Sequence, residues 1–480
     1  MKKLILLFTF NTNNMLFNSL EFAFFLPIVF FVYWLLLNKN TKLQNIWLLI
    51  SSYFFYGWWD WRFLFLVFFS SIVDYTIGLQ LGKTDNDHKR KMLLFASLLT
   101  NIGFLCYFKY FNFFLDSIDG AFSFFGTPIN ADRLNIILPV GISFYTFQTL
   151  SYTIDIYKKQ LEPTKDIIGF FTFVSFFPQL VAGPIERASN LLPQFSKERI
   201  FNYDNISQGG KLMLWGFFMK VAVADRLAIY VDDVYTELYH HSWLTLTVSH
   251  IFFAFQIYCD FAGYSLIAIG CAKLFDFTLM ENFRRPYFAT SFKSFWSRWH
   301  ISLSTWFRDY VYIPMGGNRH GKFKSGLNLF ITFVVSGFWH GANWTFIIWG
   351  ALHGMYQIFE KFIFHFKLPK ALNWVIVFSL TILAWIFFRA PNVTEAFTIV
   401  ERILTLHGSG LYFGDKGIFL FSIMGLILLI THDFISEFKP NFQLIHHPKP
   451  IVRLASIVLL MVYITSFGVF DNSQFIYFQF

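Results

Sequence analysis

Apolar runs of membrane-spanning length recur along the whole chain, from MLFNSLEFAFFLPIVFFVYWLL, which opens at Met15, to RLASIVLLMVYITSFGVF near the C-terminus. A helix of about 20 mostly apolar residues crosses the hydrocarbon core of a bilayer. Inside that core backbone groups have no water to bond, so a chain crosses it only as helices or as a closed barrel. The runs here are continuous rather than alternating, which points to helices. Composition agrees: 14% of the 480 residues are charged and 22% are aromatic, whereas a soluble domain carries roughly a quarter charged residues. A soluble core has no room for so much apolar area.

Candidate spans fall near residues 17–37, 46–56, 61–82, 91–115, 134–153, 167–182 and 208–236, and then near 244–275, 326–345, 346–366, 371–390, 417–435 and 451–470. Several are short or interrupted, so the expectation is about ten to twelve membrane helices with re-entrant and interfacial pieces. Pro178, Gly183 and Pro184 interrupt FFPQLVAGPIER, and Asp260 and Gly263 interrupt QIYCDFAGYSLIAIG, which reads as broken or re-entrant helix at both places. All of this fits one all-α domain over residues 15–480. Residues 1–14 read as an extension or an alternative start, because MKKLILLFTF has a short apolar run and no small-residue cleavage site. No repeat of 20 to 50 residues and no inverted halves stand out, which counts against a secondary transporter.

The chain has 38 Lys and Arg against 29 Asp and Glu, a net charge of +9. The excess gathers in the loops KTDNDHKRK and RHGKFK and at Lys449 and Arg453. In a membrane protein that pattern marks cytoplasmic loops beside anionic lipid, and not a nucleic-acid surface. Cys106, Cys259 and Cys271 form no CxxC pair and lie inside apolar runs, so they read as buried thiols.

Ionisable groups in membrane segments are costly and are functional candidates by default. The densest set runs from Asp260 through Arg284, Arg285, Lys293, Arg298, His300, Arg308 and Asp309 to His340 and His353. In SFKSFWSRWHISLSTWFRDYVYIPMGG, residues from Phe292 to Tyr310 recur at helical spacing, predicting an amphipathic helix at the membrane interface. His300 falls about 100° from the centre of its apolar stripe. His340 ends the run GLNLFITFVVSGFW between Gly337 and Gly341, and continued helix would place Asn343 and Trp344 on its face. A histidine there can be a base, a proton relay or a packing residue. His340 and His353 would stand about 140° apart on one helix. With no HExxH and no paired cysteines, no metal site is expected. GxSxG, Walker and GxGxxG motifs are absent as well.

RWHISLSTWFRDYVYIPMGGNRHG followed by SGFWHGANWTFIIWGALHG resembles the membrane-bound O-acyltransferase family, in its bacterial branch that O-acetylates cell-surface polysaccharides such as alginate and peptidoglycan. Similar segments extend over nearly the whole chain, including YFFYGWWD, LPVGISFYTFQTLSYTIDIY, FFPQLVAGPIER and AWIFFRA. The resemblance implies a bowl of tilted helices around a tunnel in the bacterial inner membrane. It implies His340 as the catalytic histidine, with His300 at the second polar position. It also implies acetyl-CoA as a cytoplasmic donor substrate, no bound cofactor, and a periplasmic acetyltransferase partner that completes transfer to the polymer. On this reading His300, Asn343, Trp344, Trp299 and Asp260 are candidates to contact substrate or steady an oxyanion. Arg285, Lys293, Arg298 and Arg308 are candidates for donor phosphates, or for lipid phosphates instead. A scarcity of GC-rich codons, suggested by abundant Phe, Ile, Asn and Lys, favours peptidoglycan over alginate. A proton-coupled transporter or flippase, and a non-catalytic scaffold, are the competing readings.

Overall fold

A computed structural model describes residues 15–127, 129, 132–180, 183–363, 368–440, 442, 444–470 and 476. The proposed extension at residues 1–14 lies outside them. Every regular element among the described residues is helical.

Among the described residues six helices are long and apolar enough to cross a membrane: Arg62–Lys83, Asp87–Phe124, Trp243–Leu274, Lys370–Arg389, Lys416–Phe438 and Pro450–Phe467. The other expected spans form helices that are shorter or more polar, and some of them are enclosed by protein. Ile142–Tyr157 is the clearest case, with Gln148 and Asp155 buried along it. Polar side chains between helices have partners: the Asp74 carboxylate accepts from Ser97 Oγ at 2.6 Å and from Asn101 Nδ2 at 2.8 Å. Arg90 closes the ends of two helices by donating to the carbonyls of Leu81, Thr84, Ile156 and Tyr157.

At the centre stands Trp243–Leu274, an unbroken helix of 32 residues. The expected interruption at Asp260 and Gly263 does not occur. Both residues instead serve a close helix crossing: a Cβ on Gly263 would lie 2.8 Å from the carbonyl oxygen of Gly216, and one on Gly270 would lie 2.5 Å from that of Gly209. Only glycine allows the helix ending at Phe217 to come so near. Asp260 is spent in the same contact. Its carboxylate and that of Asp225 each lie 2.7 Å from the Lys220 ammonium, and all three side chains are buried. Asp260 also accepts the backbone N–H of Ile476 at 2.7 Å, and Val469 N donates to the Val221 carbonyl beside Lys220.

FFPQ does break its helix as expected: Ile167–Ser175 stops at Phe176 and a short turn, Phe177–Leu180, follows. The segment expected to form one interfacial helix is broken too. Phe292–Trp296 ends, His300 takes a left-handed conformation at φ 42°, and Ile301–Phe307 begins a second helix. Backbone pairing with a neighbouring loop causes the break, since Arg284 N donates to the Arg298 carbonyl and Ile301 N to the Asn282 carbonyl, both at 2.9 Å.

Lys220 offsets two buried carboxylates, and removing one member of such a set costs about 3–5 kcal/mol. Lys220→Met is expected to lower the thermal unfolding midpoint in detergent by many degrees, whereas Lys42→Ala at an exposed position leaves it unchanged. Equal midpoints for both variants would show the knot to be dispensable.

Candidate active site

Two interior helix breaks carry the two histidines. The first holds His300, which has no solvent exposure. Its left-handed backbone costs about 1–2 kcal/mol for a residue with a Cβ, and Asn282 is what holds it. Asn282 Oδ1 accepts from Ser302 N at 3.3 Å, from Ser302 Oγ at 2.9 Å and from His300 Nδ1 at 3.0 Å, while its Nδ2 donates to Ser265 Oγ. Because that oxygen already accepts from a backbone N–H, the proton of neutral His300 sits on Nδ1 and its Nε2 carries a lone pair. Ser302 Oγ in turn accepts from Ile185 N at 3.0 Å, and the neighbouring Glu186 carboxylate holds Asn190 Nδ2 and Met280 N. The GPIER segment thus buttresses the His300 turn.

The second break follows His340, the last residue of the helix Gly321–His340. Gly341 is extended, so no helix carries His340 on to Asn343 and Trp344, and the shared face expected for them is not formed. Asn343 instead caps the next helix, Trp344–Ile358, accepting from Thr345 N at 3.0 Å and donating to the Pro391 carbonyl at 2.9 Å. Trp344 is 54% exposed and its ring lies 5.8 Å from that of Phe113. The two helices cross in backbone contact, since a Cβ on Gly337 would collide with the Phe346 carbonyl oxygen.

The breaks bring the imidazoles of His340 and His300 to 6.4 Å, centroid to centroid. Phe261 closes on His300 at 4.6 Å while its chain neighbour Asp260 turns away to Lys220. An aromatic box surrounds the pair. Trp349 stands edge-on to His340 at 5.0 Å, Trp385 lies 5.7 Å from Trp349, and Trp299 lies 5.0 Å from Trp385. Trp299 is therefore a buried wall of the site.

His353 is also here, contrary to the angular estimate, because it lies on a different helix from His340; Trp349 separates their rings at 5.0 Å from each. No group of three or more His, Cys, Asp or Glu side chains among the described residues has a metal-binding arrangement. Both nitrogens of His353 and the indole N–H groups of Trp296 and Trp349 are buried without a hydrogen-bonding partner among the described residues. Buried polar groups in native proteins are almost always satisfied, which sets this lane of indoles apart from an ordinary apolar core.

The lane reaches a pocket of about 220 Å³ lined by Trp296, Phe333, Ser336 and Gln357, with Lys293 and Arg308 among its residues. Trp296 lies 5.8 Å from Trp349, which touches His340. The four basic candidates divide at this pocket. Arg285 and Arg298 share Glu437, at 2.8 and 2.9 Å, and do not line it. Arg308 shares Asp309 with Arg187 but its side chain remains 58% exposed, and Lys293 forms no ion pair among the described residues.

Asn282, Ser302 and Trp349 are not marked by any sequence signal, whereas His353 is marked as an ionisable residue in an apolar run.

The membrane-bound O-acyltransferase family model matches residues 53–393. A probable alginate O-acetylase of Pseudomonas aeruginosa is 40% identical over 82% of this chain and 75% of its own length. A peptidoglycan O-acetyltransferase of Helicobacter pylori is 36% identical over 83% of this chain and 81% of its own. A teichoic acid D-alanyltransferase of Bacillus subtilis is 27% identical over 52% of this chain. With the model covering most of its length and relatives this similar, the chain belongs to the membrane-bound O-acyltransferase family.

Proposed function

We propose that this acyltransferase takes acetyl groups from acetyl-CoA at the cytoplasmic face and delivers them, at His340, for O-acetylation of a cell-envelope polysaccharide on the other side. The observation that carries the reading is the pairing of two buried histidines across a box of indoles that leads to a pocket with basic residues. Contacts join several of the basic residues: Lys159 pairs with Asp85, Lys158 lies over the Tyr310 ring, and Lys293 and Arg308 line one pocket, and the positive-inside rule makes that side cytoplasmic. Lys293 and Arg308 suit the phosphates of a nucleotide-bearing thioester. The unpartnered indole N–H groups suit its acceptor-rich amide arm, and one nitrogen of His353 can accept an amide proton.

Transfer joins the acceptor hydroxyl oxygen to the thioester carbonyl carbon and releases the thiolate. His340 takes the hydroxyl proton and returns it to the sulfur, or carries the acetyl group itself between donor and acceptor. His300, fixed by Asn282 with a lone pair on Nε2, serves as a proton acceptor and not as an oxyanion donor. Indole or backbone N–H groups beside the break supply the oxyanion contacts. The final acceptor is peptidoglycan in preference to an alginate-like polymer, reached through a periplasmic acetyltransferase. Support comes from the composition and from a peptidoglycan-modifying relative similar over most of its length.

His340→Ala is expected to leave the protein folded while lowering acetyl transfer about 10²–10⁴-fold, the usual contribution of a general base. O-acetyl groups should then vanish from muropeptides, measured by mass spectrometry of digested envelopes; wild-type acetylation in this variant contradicts the site, and loss confined to an exopolysaccharide contradicts the acceptor. Lys293→Ala combined with Arg308→Ala should raise KM for acetyl-CoA about tenfold, equivalent to one lost contact of ~1.4 kcal/mol, with kcat little changed. The pair Arg285→Ala and Arg298→Ala should leave KM unchanged and lower the unfolding midpoint. Asn282→Ala should lower kcat without changing KM, because it releases the His300 turn.

A further inference from the structure

Lys109 lies inside the apolar run FLCYFKYFNFF, where a lysine needs a strong reason to be kept. No carboxylate pairs with it among the described residues. Its ammonium donates instead to the carbonyls of Trp339 at 3.0 Å and His340 at 2.9 Å, above the Trp339 ring at 5.9 Å. Tyr110 beside it donates from its hydroxyl to the carbonyls of Phe338 at 3.1 Å and Trp339 at 3.2 Å, with its ring stacked on Phe338 at 4.3 Å.

These are the last three carbonyls of the His340 helix. Their ordinary partners would be N–H groups four residues on, beyond the break. Gly341 is extended at φ −159°, so the helix has no left-handed glycine cap to satisfy them. Among the described residues, Lys109 and Tyr110 meet the negative end of the helix dipole. Adjacent residues on a regular α-helix point about 100° apart; here the π turn Cys106–Tyr110 distorts the helix, and both side chains reach the same helix end.

We propose that Lys109, assisted by Tyr110, is the positioning residue for acyl transfer: it fixes the final turn of the Gly321–His340 helix and so aims the His340 imidazole. The proposal rests on His340 being the reacting histidine. A displacement of about 1 Å at a reacting group costs on the order of 10²-fold in rate, and a frayed last turn permits at least that.

The test compares Lys109→Met, Lys109→Arg, Tyr110→Phe and His340→Ala with wild type in the full chain. Alkali-released O-acetyl from envelopes of cells making each variant at equal level is measured alongside kcat, KM for acetyl-CoA and unfolding midpoint of the purified protein. Lys109→Met should lose at least about tenfold in O-acetyl and kcat, with KM within twofold and the midpoint close to wild type. Lys109→Arg, which keeps the donors and the charge, should recover most of the loss, and Tyr110→Phe should lose less than Lys109→Met. Wild-type turnover in Lys109→Met, a loss confined to KM, or a loss that tracks the midpoint and is not rescued by Arg would each overturn the proposal. If His340→Ala is inactive and Lys109→Met is fully active, only this proposal fails; if His340→Ala is active, the site reading fails with it.

Discussion

Backbone that leaves a helix inside a membrane protein must find hydrogen-bonding partners there, because the bilayer offers none. The whole site depends on how this chain meets that condition at two places. At His300 the turn is held by the loop carrying Asn282, through one side-chain oxygen and two backbone pairs. At His340 the helix end is held from outside by Lys109 and Tyr110, and the next helix starts with its own cap, Asn343. Each break lets a side chain project from a helix terminus into the interior, where an unbroken helix would have kept it packed against a neighbour.

The scaffold that supports the breaks is stiff. Trp243–Leu274 runs through the middle, brought into backbone contact with its neighbour by paired glycines and locked by the Lys220 knot. Tyr258 and Phe261 on that helix pack against Trp299 and His300 respectively. Charge that looked catalytic in the sequence is largely spent on this support: Asp260 belongs to the knot, and Arg285 and Arg298 are tied to Glu437. The groups left at the pocket, Lys293 and Arg308, are those that a diffusing anion can reach.

The membrane class and the family are legible because long apolar runs and dense motifs leave little freedom. What could not be read was where helices stop. SGFWHGANWTF is apolar and glycine-containing on both sides of His340, so periodicity continues across a break that the extended Gly341 makes, and Asn343 and Trp344 were assigned to a face that does not exist. The opposite error occurred at CDFAG, where an acid and a glycine looked like an interruption but serve a close crossing. Asn282 gave no signal, since a loop asparagine is ordinary until its partners are known. Lys109 and Lys220 do give one, because an ionisable residue in an apolar run is costly wherever it occurs.

The central claim is that an acyl donor enters from the basic end along the indole lane to lie between His340 and His300. Photolabelling of the purified protein with a diazirine-bearing acyl-CoA, followed by peptide mapping, tests it most directly. The account predicts adducts in the peptides spanning residues 292–307 and 336–353, suppressed by excess acetyl-CoA. Labelling confined to lipid-facing helices such as Pro450–Phe467, unaffected by acetyl-CoA, would contradict it.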